Sequence, residues 1–414
     1  MDFANFTTPD FYENPYPFYT DLRNEGLFVS LMPKIWMTGR YAVAETVLRD
    51  RRLGRWHEEY VRLRYGEDRK DDPVFQVFYQ MVLMLNPPQH TRVRALLMKA
   101  FNASHTEEFA HLSLTVADDL IDRFIDHGSA DLVSTYALRL PIMVICKLLG
   151  LDEADTGPFA EEMWALTVPF SRAFEASGMS SREVDDANAS TLKLQAFFRS
   201  ELDKRRRQPK NDLISRFLQV EENGQRMSDD EIVANIVFLF VAGHETTANM
   251  IGNALVALHR HPAELERLRC APSLISACVL ECLRFDSSVQ MAFRDVLEDM
   301  ELDGYRFSRG DTIFLCSGSA NRDPARFMEP DRFQIGRADV DSRQLLNFGG
   351  GLHYCLGARL AMIELEAAIG TLLRRLPDLR IPDLDRLAWH PSNTLRGVEL
   401  LQVTWNFRSR PNFA

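Results

Sequence analysis

The segment from Phe348 to Ala361, reading FGGGLHYCLGARLA, holds the residues of this chain best suited to chemistry. Three consecutive glycines, Gly349 to Gly351, let the backbone take conformations closed to other residues and approach a flat ligand closely. Cys355 then falls where helical spacing resumes through Leu360, Ile363 and Ala367. A helix start favours a thiolate through its unpaired N–H groups and its dipole. A nucleotide-binding loop is excluded, because G-x-G-x-x-G would need glycine at position 354, where Tyr354 stands. Taken alone, the glycines mean a tight turn, and a cysteine among apolar neighbours means packing.

A second group is Ala242-Gly243-His244-Glu245-Thr246-Thr247. Glycine inside a buried helix costs about 1 kcal/mol against alanine, so Gly243 needs a purpose. Close approach to a ligand and a local widening of the helix both qualify. His244-Glu245 opens the H-E-x-x-H pattern of zinc proteases, but Ala248 occupies the place of the second ligand, so His244 reads as a packed histidine. Glu281 and Arg284 lie three apart on one helical face, a pairing that alone contributes only about 0.3 to 0.5 kcal/mol. Cys278 and Cys282, four apart without a matching His or Cys pair, read as packing residues and not as metal ligands.

The elements that must position these residues are mostly helices. Apolar positions recur three and four apart between residues 90 and 285, as in Leu112 to Ile125 and Ala187 to Leu202. The best-delimited helix runs from Ser228 to His259: Ser228-Asp229-Asp230-Glu231 reads as a capping box, and Pro262 ends it. Its centre, Ile236 to Ala242, is apolar on every face, which predicts passage through the core. Strand-like pieces occur at Trp36 to Thr38, Met300 to Phe307, Thr312 to Leu315 and Glu399 to Trp405. Residues 56 to 82 read as charged and irregular. With no repeat or linker, the chain is expected to be mainly α with small β-sheets, one large domain over residues 1–414.

Charge and composition narrow the partners. A formal charge of -11 without a basic tract argues against nucleic acid or an anionic membrane surface. The N-terminus lacks a basic start with an apolar segment, and Ile236 to Ala242 is far short of the roughly 20 residues that span a bilayer. Six scattered cysteines fit a reduced setting, so a soluble, cytoplasmic protein is expected.

The full spacing Phe-x-x-Gly-x-x-x-Cys-x-Gly, met by Phe348, Gly351, Cys355 and Gly357, resembles the haem-binding loop of the cytochrome P450 family. Asn321-Arg322-Asp323-Pro324 and Phe327-x-x-Pro330-Asp331-Arg332-Phe333 resemble that family's meander, and the likeness extends from Asn14-Pro15-Tyr16 to Leu395-Arg396-Gly397. The resemblance implies a P450 fold holding haem b, with Cys355 as the iron ligand and Phe348, Gly349, His353 and Gly357 around it. It places Ala242 and Gly243 against the cofactor and assigns its propionates to His90, Arg94, Arg294 and His353. Glu245 and Thr246 match the acid-alcohol pair that holds dioxygen and water and relays protons. Glu281, Arg284 and Arg332 match a buried structural triad. Leu85, Phe238, Val241, Ala242, Val289, Met291 and Thr394 are the implied pocket residues, mostly apolar. The implied activity is monooxygenation of a hydrophobic small molecule such as a natural-product intermediate. No reductase is expected to be fused, so electrons would come from a ferredoxin and its reductase, or a flavodoxin. Two departures, Asn86 where Asp is frequent and Gln89 before His90, are expected not to touch the chemistry. A peroxide-driven enzyme or a haem sensor would not need the acid-alcohol pair, and a helical scaffold without haem would make the Cys355 loop accidental.

Overall fold

The computed structural model describes residues 2–55, 57–101, 106–151 and 178–406. Its axis is the helix Asp229–Arg260, 32 residues long, and the local sequence explains both ends. At the start, the Ser228 hydroxyl accepts the Glu231 N–H while the Glu231 carboxylate accepts the Ser228 N–H. This reciprocal cap satisfies donors that the first turn leaves without partners. At the other end Pro262 cannot continue the helix and instead opens the next, Pro262–Cys270. Helices Arg139–Leu148, Ser181–Arg207, Ile275–Phe285 and Ala358–Arg375 pack against this axis. Ile236, Val237, Phe240 and Val241 are buried as expected, while Phe238, Leu239 and Ala242 face an internal cavity.

The main sheet has five strands in the order Val29–Met32, Ile35–Thr38, Thr312–Cys316, Met291–Val296, Leu53–Gly54. Ile35–Thr38 runs parallel to Thr312–Cys316 and the other pairings are antiparallel. Met300–Leu302 and Tyr305–Phe307 form a hairpin, and Ser129–Asp131 pairs with Gln402–Thr404. The expected strands are thus present, with Met300 to Phe307 resolved into two and Glu399 to Trp405 shortened. Met291–Val296 gives no clear strand signal, because Arg294 and Asp295 interrupt its apolar pattern. Residues 56 to 82 are more regular than expected. Helices His57–Tyr65 and Pro73–Gln80 occupy much of the stretch, and the second buries Val74, Phe75, Val77 and Phe78. Local ion pairs such as Arg62 with Glu67 and Arg69 with Asp72 account for the charge that obscures them.

Glu281 and Arg284 are each 1% exposed and form a two-pronged pair with both N···O distances 2.8 Å. The remaining guanidinium bonds go to the carbonyls of Asn321, Pro330 and Arg332 at 3.2, 2.7 and 3.1 Å. The carboxylate also accepts the Gln334 N–H at 2.8 Å. Every donor of the planar guanidinium therefore has an acceptor, which offsets much of the cost of burying the charge. The expected third member is corrected: the Arg332 side chain is 62% exposed and pairs with Glu329, and only its carbonyl enters the network.

Removing Glu281 or Arg284 strands the opposite charge in the interior. Glu281→Ala and Arg284→Ala are each expected to cost about 3 to 5 kcal/mol and to leave little folded protein. Arg332→Ala should cost no more than about 1 kcal/mol, as for exposed pairs. Thermal unfolding and soluble yield of the three variants check this; equal losses in all three would restore Arg332 to the triad.

Candidate active site

The Cys355 loop closes on itself through the Cys355 N–H, which donates to the Phe348 carbonyl at 2.8 Å. Gly349 and Gly351 have φ of 70° and 61°, the left-handed region that favours glycine. A Cβ on Gly351 would also lie 2.2 Å from the Leu48 carbonyl oxygen, so the loop packs against the helix Tyr41–Arg49 in a way no larger residue permits. The helix after the cysteine begins at Ala358, slightly later than its position in sequence suggests, with Gly357 as cap. Burial pushes the Cys355 thiol up, opposed by the Gly357 N–H, the Arg94 charge and the Ala358 N–H.

Across from this loop lies a cavity of about 350 Å³ with a mostly apolar lining. Phe238, Val241, Ala242, Gly243, Glu245 and Thr246 reach it from the long helix. Val289, Met291 and Arg294 line it from the strand side, Thr394 from near the C-terminus, and Phe348, Gly349, His353, Cys355 and Gly357 from the loop, with Arg94 beside them. Leu85 is corrected: it packs at the edge of an apolar cluster, and Val82 and Leu83 line the cavity instead. Two backbone segments far apart in sequence form one wall. The Gln290 N–H donates to the Thr394 carbonyl at 2.9 Å, and the Arg396 N–H to the Ser288 carbonyl at 2.7 Å.

In the long helix the Thr246 hydroxyl donates to the Ala242 carbonyl at 2.8 Å, and the Ser288 hydroxyl donates to the Thr246 carbonyl at 2.7 Å. The helix is α throughout, so the local widening considered for Gly243 is not seen. A Cβ there would come within 3.0 Å of Ile145 Cδ1, which makes close helix packing the structural demand.

Positive groups gather at the other side of the loop. Arg94 donates to the Tyr354 carbonyl at 2.6 Å, and Arg294 to the Gly350 carbonyl at 3.2 Å. His90 does not line the cavity, but its ring centroid lies 4.5 Å from that of His353, and both its ring nitrogens are buried without a protein partner. Burial, then Arg94 and Arg294, push His90 down to about 4. Burial also lowers Arg294 to about 9, helped by Arg55. Cys278 and Cys282, their sulfurs 3.9 Å apart, belong to no metal-binding cluster among the described residues.

Sequence reasoning missed Arg55, Ile145, Leu148 and Glu364, all of which line the cavity. The first three reach it by tertiary packing, which no local spacing announces. Glu364 sits on the helix that follows Cys355; burial raises its carboxyl to about 8, with a Thr247 hydrogen bond opposing.

A cysteine just ahead of a helix thus faces a mostly apolar chamber with buried arginines at its margin. Residues 159–271 and 273–383 match the family model described as Cytochrome P450. The putative cytochrome P450 133B2 of Xylella fastidiosa is 44% identical over 97% of this chain and 99% of its own. Among solved structures, P450BioI in complex with an acyl carrier protein ligated to hexadec-9Z-enoic acid superposes at TM-score 0.87. The two are 31% identical over 97% of this chain and 100% of that one. A myxobacterial cytochrome P450 in complex with myristic acid gives TM-score 0.85 and 33% identity, covering 98% of this chain and 100% of that chain. The chain belongs to the cytochrome P450 family, and is a haem monooxygenase, an oxidoreductase that takes electrons from redox partners. Among the described residues no helix is long and apolar enough to cross a membrane.

The residues present fit haem. Its two propionates would find Arg94 and Arg294 at the cavity margin, with the ring nitrogens of His90, which have no protein partner, next to His353.

Glu364 supplies a pH test. Its folded pKa, about 8, lies above the 4.5 of an ordinary glutamate, so its contribution to stability is intact below pH 4.5 and is lost as pH rises toward 8. Glu364→Gln keeps the shape and removes the ionisation. Its stability relative to the parent should therefore rise across that window, by a few kcal/mol at most. Denaturant unfolding at pH 5 and pH 8 checks this; an equal difference at both would show that Glu364 is not held neutral.

Proposed function

We propose that this enzyme inserts one oxygen atom of O₂ into a hydrophobic small molecule, a natural-product intermediate, using haem b ligated by Cys355. The observation that carries the reading is that Cys355 and Thr246 line one cavity with a mostly apolar surface. When bound, the haem supplies the oxidation, one oxygen atom entering the substrate and the other leaving as water. Cys355 would hold the iron through its thiolate, a strongly electron-donating ligand. His90, Arg94, Arg294 and His353 would hold the propionates, and Phe348, Gly349, Gly357, Ala242 and Gly243 would pack against the ring.

Phe238, Val241, Val289, Met291 and Thr394 orient the substrate and exclude water around it. The fatty acyl ligands of the two solved neighbours support an extended apolar substrate. Glu245 delivers the proton. The Thr246 hydroxyl already donates to Ala242, so its oxygen lone pairs face protons arriving from the cavity. Electrons come from a ferredoxin and its reductase, or a flavodoxin. Screening hydrophobic compounds for a haem spin-state shift identifies the substrate; a chain that takes up no haem would refute the reading.

Two substitutions separate ligation from proton delivery. Cys355→Ser is expected to lose the long-wavelength, thiolate-type absorption of the reduced carbonyl complex. Survival of that band would reassign the ligand. Thr246→Ala should keep the spectrum and the substrate-induced shift, yet lower product formed per reductant consumed by about tenfold or more, with the difference appearing as peroxide and water. Product, peroxide and reductant measured together decide it, and unchanged coupling removes Thr246 from the relay.

A further inference from the structure

Arg55 follows the edge strand Leu53–Gly54, and Asn86 clamps its backbone from both sides. The Asn86 side-chain oxygen accepts the Arg55 N–H at 3.0 Å, and the Asn86 amide N–H₂ donates to the Arg55 carbonyl. So held, the Arg55 side chain passes over the Phe293 ring, with Cζ 4.2 Å from the centroid, and lines the cavity. It is 7% exposed, and its buried Nε has no protein acceptor. Arg55 and Arg294 each donate to the Phe293 carbonyl at 2.9 Å, which brings two buried guanidinium groups onto one oxygen. Among the described residues Asp295 is the carboxylate acting on both, and its oxygen already accepts the Thr312 hydroxyl at 2.8 Å. Two like charges out of water need a further anion beside them.

We propose that Arg55 is an additional carboxylate-gripping residue of the haem pocket, sharing one propionate with Arg294, and that Asn86 is its positioning residue. The inference rests on haem occupying the cavity beside Cys355. Arg94 donates to the Tyr354 carbonyl and Arg294 to the Gly350 carbonyl, but only Arg55 and Arg294 meet on one oxygen, that of Phe293. Two guanidinium groups that meet in this way can each offer an N–H to one oxygen of a single carboxylate. Asn86 suits its task because it both donates and accepts; an aspartate there could not donate to the Arg55 carbonyl. On this proposal Asn86, a departure expected not to touch the chemistry, acts on the cofactor site through Arg55.

The test uses haem-loaded protein with Arg55→Gln, Arg55→Lys and Asn86→Asp. Three quantities are read: the rate of haem transfer to excess apomyoglobin, the propionate-bending bands in resonance Raman spectra, and the binding of myristate against its methyl ester. Arg55→Gln is expected to lose haem about tenfold faster or more, as befits loss of a charged hydrogen bond, and to shift the propionate bands. Arg55→Lys should recover part of both, and Asn86→Asp should show the same band shift in smaller measure. The preference for myristate over its ester should stay unchanged. Unaltered haem loss and propionate bands in Arg55→Gln overturn the proposal, as does a change confined to myristate, which would make Arg55 a partner of substrate carboxylates. If Arg55→Gln does not accumulate as folded protein, Asn86→Asp carries the decision, and unshifted bands there count against it. A parent chain without haem would sink the site reading itself, whereas a haem-loaded parent with unaffected variants would sink only the role of Arg55.

Discussion

The hydrogen bond from the Cys355 N–H to the Phe348 carbonyl folds the loop back on itself and sets where the sulfur sits. That sulfur faces backbone N–H groups of Gly357 and Ala358, which cannot swing away as side-chain donors can and which oppose the upward push of burial on the thiol. Their direction depends on the helix Ala358–Arg375, which packs against the long axial helix and against Thr106–Asp122. Arg94 ties the same loop to the helix Gln89–Ala100 through the Tyr354 carbonyl. One short loop thus draws together helices from three distant parts of the chain.

The Glu281–Arg284 pair serves a different part of the same frame. Its guanidinium gathers carbonyls from Asn321, Pro330 and Arg332, a stretch with little regular secondary structure in which the Arg332 oxygen accepts from Arg337 as well. Buried carbonyls need donors, and an arginine fixed by its own carboxylate can serve several at once. The Asn321 side chain in turn accepts the Leu346 N–H at 3.0 Å, two residues before Phe348. The ion pair therefore reaches the cysteine loop through two steps of hydrogen bonding.

Much of this was legible in the sequence where the information is local. The capping box at Ser228, the glycine pattern before Cys355 and the apolar run Ile236 to Ala242 each encode their structure within a few residues. Most implied pocket residues also line the cavity, because they sit on those same elements. Failures arose where one residue's role depends on distant ones. Arg332 carries a charge that sequence reasoning credits to the side chain, whereas the structure uses its carbonyl. Leu85 shares the apolar character of its neighbours, and only the path of the backbone decides that Val82 and Leu83 face inward. Arg55 stands in a run of charges that resembles solvated surface, and its burial follows from the Asn86 clamp.

The wall built from Ser288 to Met291 and Thr394 to Arg396 has a separate consequence. Its two segments are joined by N–H to carbonyl bonds, which are the same whatever side chains are attached. Val289, Met291 and Thr394 project from that lattice into the chamber without helping to hold it together through those bonds. Exchanging Val289 or Thr394 remodels the chamber while those backbone bonds stand, whereas Met291 is also packed in the core with Tyr19 and Met37. One part of the wall can therefore be reshaped at less risk to folding than another.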